Sequence, residues 1–148
     1  MSTVLQLCND LPERTLGAGE ALIEEGKKAG GLFVLVDGAV EILKGEVRVN
    51  TVSKPGAVLG EVAVLLGSPH MATVKTLEES KFLVAKNPKE FLASHPDMVL
   101  HMARLLAQRL SHATGYLVDA KKQSDQHAEH VAMVDNLLEA LVEHYDDI

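Results

Sequence analysis

The sequence predicts a mainly β domain, a jelly roll or double-stranded β-helix, followed by one long C-terminal helix or a helix pair. Three observations carry that expectation. Residues 14 to 86 are rich in Gly, Val and Leu, in short apolar runs broken by turns. After Pro88 the chain holds one Gly and one Pro, with many Leu, Ala, His and Glu. The apolar spacing also changes there, from alternation to the helical i, i+3, i+4 pattern.

Taken in order, the strand candidates are "ALIEEG" (21–26), "GLFVLVDG" (31–38), "AVEILKG" (39–45), "EVRVNTV" (46–52), "TVKTLEE" (73–79) and "SKFLVA" (80–85). Gly26, Gly38, Gly45 and Gly56 fall between them, where reversals call for positive φ. Lys44-Gly45 joins two strands as a tight hairpin, and "VRVNTV" alternates as a half-buried strand does. "NPKEFLASHP" (87–96) reads as a short helix, with Asn87 as N-cap, Pro88 at N1 and Glu90 in the first turn. Asp97 then opens a longer helix, along which Met98, Met102, Leu105, Leu106 and Leu110 form a stripe.

A heptad seam continues from Ala103 through Leu106, Leu110, Ala113, Leu117, Ala120, Ser124 and His127 to Val131, Val134, Leu138, Leu141 and Tyr145. One rod of about 75 Å would result at the helical rise. The polar stretch 119–127 equally allows two helices broken near Lys122 to Asp125, and Gly115 weakens the helix by roughly 1 kcal/mol relative to Ala. The seam favours a homodimer through the C-terminal helices over packing within the chain. The expected organisation is a roll over 1–110 and a helical extension over 111–148.

Composition narrows the function classes. The chain has 148 residues, 47% of them hydrophobic, but 3% aromatic and no Trp, so its core is aliphatic. A net charge of −7 argues against nucleic-acid binding, which needs a basic field. Cys8 is the single cysteine, so no internal disulfide forms, which fits a reducing compartment. With no apolar run of membrane-spanning length and no signal-peptide pattern, the expected location is the cytoplasm.

The stretch 59–74, "LGEVAVLLGSPHMATV", concentrates the chemistry. A short helical turn after Gly60 would leave the amides of Gly60, Glu61, Val62 and Ala63 without intrahelical partners. Such free N–H groups favour an anion, and Gly60 lets the backbone approach it closely. Glu61 repels a phosphate but accepts hydrogen bonds from hydroxyls. An anion cradle beside a hydroxyl acceptor suits a sugar phosphate.

From about Thr15 to Leu110 the chain resembles the cyclic nucleotide-binding domain family, in its catabolite activator protein-like form. The resemblance rests on "GEALIEEG" at 19–26, "LFVLVDGAVEI" at 32–42, the stretch 59–74 and "PDMVLHMARLLAQRL" at 96–110, in that order and spacing. It implies an eight-stranded β-roll flanked by helices, a phosphate-binding cassette at about 60–73, and a C-terminal helix closing over the base. It further implies that Glu61 holds the ribose 2′-hydroxyl and that the Gly60 and Ala63 amides face the cyclic phosphate. Against the family's Pro-Arg-Ala-Ala-Thr, this chain has Pro69-His70-Met71-Ala72-Thr73. Pro69, Ala72 and Thr73 match; His70 stands where the phosphate-clamping Arg is expected, and Met71 replaces a small residue. A hydroxyl toward adenine falls near Thr114.

An Arg offers a permanent charge and a fork of donors; a His near its usual pKa is largely neutral at pH 7 and offers one donor. Losing a charged hydrogen bond of roughly 1.5–3 kcal/mol weakens binding roughly ten- to hundred-fold. Three outcomes stay open: weak binding of cAMP or cGMP, a different ligand, or a ligand-free roll serving as an interaction and dimerisation module. No other cofactor is called for. His127 and His130 share a helical spacing without a metal-ligand pattern, though His127 on the seam would make dimerisation pH-sensitive. No catalytic motif is present, so the expectation is a regulatory sensor and not an enzyme. A winged DNA-reading module does not fit the acidic residues after Leu110, so the output would pass to an effector protein.

Overall fold

The computed structural model describes residues 3–123 and 128–143. Contacts divide the chain into two compact units, Met1–Met102 and Ala103–Ile148.

In the first unit eight strands form two four-stranded sheets. β1 (Glu13–Leu16), β8 (Ser80–Ala85), β3 (Leu32–Asp37) and β6 (Val58–Leu59) make one, in that order. β2 (Ala21–Ile23), β7 (Thr73–Thr76), β4 (Val40–Lys44) and β5 (Val47–Val52) make the other. The pairings are antiparallel, with β8 set beside β3 in the register Phe33 to Val84 and Leu35 to Phe82. Short helices α1 (Thr3–Leu7), α2 (Glu61–Leu66) and α3 (Pro88–Ser94) join them, and α4 (Pro96–Gln123) begins here.

The side-chain period of two sorts the apolar residues of β3 and β8 into two cores. Phe33, Leu35, Phe82 and Val84 point between the sheets, with Leu16, Ile23, Val40 and Val74. Leu32, Val34, Leu83 and Ala85 point the other way, onto Val4, Val64, Leu92, Met98 and Met102 from the helices. A sheet covered on both faces explains why "LFVLV" and "FLVA" are continuous apolar runs and not alternating ones. Thr76 and Ser80 are buried but spend their hydroxyls on the backbone: Thr76 Oγ1 donates to Gly17 O at 2.6 Å, and Ser80 Oγ donates to Glu78 O at 2.8 Å.

Three expectations need correction. The half-buried alternation of 47–52 does not appear: Val47 and Val49 are 66% and 58% exposed, because β5 is the outer strand of its sheet and only Val52 at its end packs on the core. Cys8, whose place so near the start of the sequence suggests a mobile terminus, is held instead. It is fully buried beside Met98, its Sγ 3.8 Å from the thioether, and burial pushes its thiol pKa up to about 11. Asn87 does stand at the N-cap of α3 with Pro88 behind it, yet its side chain makes no capping bond.

In the second unit, the end of α4 and α5 (Ala128–Glu143) lie side by side. Lys121 Nζ pairs with the Asp135 carboxylate, 14 residues on. In one continuous helix those residues would stand about 21 Å apart, so the single rod is not formed. Val134 is 2% exposed within the chain, while Ala103, Leu110 and Ala113 of the seam face solvent. Ser124 and His127, with the pH-sensitivity attached to the latter, lie outside the described residues.

Candidate functional site

The cassette runs from Gly60 to Thr73 and is built by α2 and the turn that follows it. Gly60 precedes the helix with φ 85° and ψ 6°, a left-handed conformation that disfavours any side chain. Space is tight as well. A Cβ there would lie 3.2 Å from Gly31 O, 3.3 Å from Ile23 Cδ1 and 3.6 Å from His70 Cε1, so the first two neighbours would have to give way by a few tenths of an ångström. Gly60 O accepts from Val64 N at 3.3 Å, so α2 starts at this point, and the Gly67 and Ser68 amides both close on Ala63 O. Gly67, at φ 63°, ends the helix with a second left-handed residue.

Glu61 and His70 are each 8% exposed. Ala63 is buried as well, and Val62 is half-buried. His70 is fixed through its main chain: its N–H donates to Lys27 O at 2.9 Å, and its carbonyl accepts from Gly26 N at 2.8 Å. Burial pushes the imidazole pKa below its ordinary value, so the ring is neutral at pH 7.

The far end of the cassette is fastened by residues that the sequence did not single out. The Met71 carbonyl accepts from Lys44 Nζ at 2.7 Å, and Lys44 also pairs with Glu25 at 3.3 Å. Gly45 N donates to Glu25 Oε1 at 2.9 Å, and Glu25 N donates to Thr73 Oγ1 at 3.0 Å. The Gly45 amide and the Lys44 ammonium hold the Glu25 carboxyl below its usual range. The β4–β5 hairpin tip, the end of β2 and the end of the cassette are thereby tied together. Sequence spacing carries no sign of this, because the partners are 20 to 48 residues apart. Met71 is 55% exposed and Ala72 half-buried, while Thr114 is half-buried on the part of α4 belonging to the second unit.

Behind α2 lies a cavity of about 770 Å³, bordered by Ala63, Val64, the turn Gly67–Ser68–Pro69 and residues 86–90. Of the residues that the resemblance sets around the ligand, Ala63 borders it; Gly60, Glu61 and His70 do not. Among the described residues no group of three or more His, Cys, Asp or Glu is placed to hold a metal, and no helix is long and apolar enough to cross a membrane.

A two-sheet antiparallel roll with a glycine-led, one-helix cassette defines the class: a ligand-binding β-roll. Residues 13–92, just over half of the chain, match the sequence profile of the cyclic nucleotide-binding domain. The chain belongs to that family. It is 38% identical over 64 residues to a cAMP-dependent protein kinase regulatory subunit of Yarrowia lipolytica, a match covering 43% of this chain and 17% of that relative's length. Among solved structures, the fold matches a protein of a cyclic-GMP-dependent signalling pathway that regulates bacterial phytopathogenesis. The TM-score is 0.62 and the identity 24%, over 76% of this chain and 95% of that one. It also matches the regulatory subunit of a cAMP-independent protein kinase A from Trypanosoma brucei, with TM-score 0.55 and 21% identity, over 68% of this chain and 38% of that one. At these identities the structures attest the fold.

Proposed function

We propose that this chain is a cyclic-nucleotide-sensing regulatory domain, in which the cassette takes cAMP or cGMP and the C-terminal helices pass the signal to an effector protein. The observation that carries the reading is the packing at Gly60. A left-handed glycine, at which a Cβ would crowd Gly31 and Ile23, stands near the buried His70 ring and is followed by the buried Glu61. In this reading Glu61 accepts from the ribose hydroxyl, and the amides of Gly60, Val62 and Ala63 with that of Met71 meet the cyclic phosphate. Met71 N is reached past Ala72 and Thr73, whose strand carries the cassette back into the sheet. His70 contributes one donor, from a neutral ring, so binding is weak until the phosphate draws a proton onto the imidazole.

The same reading makes the protein cytoplasmic, dimeric through its helices, and a binder of small molecules with no reaction of its own. Ligand contact would shift a two-state equilibrium between roll and helices. Calorimetric titration with cAMP and cGMP tests it. Saturable binding of either, lost in Glu61→Gln, supports the reading. No heat with either nucleotide at millimolar concentration, from protein that melts cooperatively, overturns it in favour of a ligand-free interaction module. That competing reading draws on the neutral His70 in place of a guanidinium.

A further inference from the structure

We propose that the cavity behind α2 is a second ligand site, on the other side of that helix from the Glu61–His70 side of the cassette, for a small organic phosphate. Its volume, about 770 Å³, lies within the range of small-molecule pockets. Ala29, Val64, Pro69 and Pro88 give it an apolar wall that suits a carbon skeleton. Around this wall stand Lys28, Lys86 and Lys89, against one carboxylate, Glu90. None of the three lysines has an ion-pair partner among the described residues. In a chain of net charge −7, three unneutralised ammonium groups on one cavity are an uneven placement.

Two polar groups sharpen the choice of ligand. Ser68 Oγ is closed off from solvent and has no hydrogen-bond partner among the described residues. Its own amide is already spent on Ala63 O at 3.2 Å, so the hydroxyl is what this turn has left to give. Asn87 also borders the cavity; its side chain makes no capping bond and stands exposed, so its amide is open to a ligand. The lysines exceed the carboxylate by two positive charges, which matches a phosphomonoester carrying about −1.5 to −2 at pH 7 with three acceptor oxygens. A carboxylate ligand would leave one of those charges unmet. Both sites share α2: Ala63 and Val64 face the cavity, and the turn Gly67–Pro69 leads directly into His70. An anion held there would stiffen the turn that sets the imidazole.

The test uses the full chain at low salt, with phenyl phosphate as probe and phenol and inorganic phosphate as controls, followed by amide chemical shifts and calorimetry. The expected result is saturable binding of phenyl phosphate, with shifts centred on residues 67–69 and 86–90. Phenol should bind at least about tenfold more weakly, and so should phenyl phosphate to the Lys86→Gln/Lys89→Gln variant. Binding should persist with the cassette saturated by cAMP or cGMP. Shifts centred on 60–63 and 70–73, competition by a cyclic nucleotide, or indifference to the lysine substitutions would each overturn the proposal. So would a phosphoserine peptide that binds more tightly than phenyl phosphate, since the occupant would then be a phosphoprotein. The sensing reading can fail without touching this one: a chain that ignores cyclic nucleotides still shows or lacks the shifts at 67–69 and 86–90.

Discussion

The two halves of the cassette are held by different means. At its start, Gly60 is fixed by a main-chain conformation and by close packing on Gly31 and Ile23, which leave one residue type acceptable. At its end, His70 to Thr73 are held by hydrogen bonds to the turn that follows β2 and to Lys44 at the end of β4, through His70's main chain, the Met71 carbonyl and the Thr73 hydroxyl. Those bonds ask nothing of the side chains at 70 and 71. The cassette can therefore keep its shape whichever side chain stands at 70. In the proposed reading, shape is a property of the backbone and affinity would rest on that one side chain.

The largest effect should come from breaking the first half. In Gly60→Ala the left-handed conformation costs about 1–2 kcal/mol, and the contact with Gly31 O adds about 1–3 kcal/mol of overpacking. For a unit of this size the melting temperature should drop by roughly 10 °C or more. A variant that melts with the native chain would show that Gly60 is not the fixed point of the cassette.

Next in size is His70→Arg, which changes the second half without disturbing its backbone bonds. Restoring a charged, forked donor should raise cyclic nucleotide affinity about ten- to hundred-fold in calorimetry. The melting temperature of the ligand-free variant should move little or fall, since a guanidinium is harder to bury than a neutral imidazole. If affinity stays undetectable in a folded variant, the geometry around residue 70 no longer suits a phosphate.

A smaller effect follows from pH. The folded pKa of His70 is depressed, so the folded state resists protonation while the unfolded state accepts it. The stability this contributes is present above the unfolded pKa of about 6.5 and is lost as pH falls through the folded value. Ligand affinity should run the other way, because a phosphate raises the imidazole pKa and binding takes up a proton. Thermal melts from pH 7.5 to 5.0 should show falling stability in the native chain and a flatter profile in His70→Gln. Titrations over the same range should show affinity rising toward acid in the native chain and staying level in His70→Arg. Parallel slopes in native and variant chains would remove His70 from both accounts.

Legibility in the sequence follows the same division. The roll could be read because β3 and β8 write their two-sided burial as unbroken apolar runs, and because glycines mark reversals at 26, 38, 45 and 56, all at positive φ. The cassette could be read from Gly60, Glu61 and the turn at 67–69 for the same local reason. β1 escaped because only Leu16 of its four residues is buried, and β6 because two residues cannot show a period. α1 and the burial of Cys8 escaped because a single helical turn acquires its apolar face from Met98, 90 residues away. The exposed β5 misled, since alternating valines look alike on a central strand and on an outer one. The fastening of Met71 by Lys44 and Glu25 was invisible, being made by residues that are neighbours across strands and strangers along the chain.

That fastening supplies the finest test of whether the halves are independent. Lys44 is exposed, so its pair with Glu25 contributes little to stability and is weakened by salt. Its bond to the Met71 carbonyl matters more for position than for stability. In Lys44→Met the melting temperature should fall by only a few degrees. Amide exchange at 71–73 should quicken, while exchange at 62–64 should keep its native rate, because α2 is held by Gly60 and the Ala63 carbonyl. Nucleotide affinity should drop about two- to threefold, through looser placement of the Met71 amide. Quickened exchange in both halves would mean that the cassette opens as one unit, and that the imidazole at 70 and the carboxylate at 61 are set by a single shared constraint.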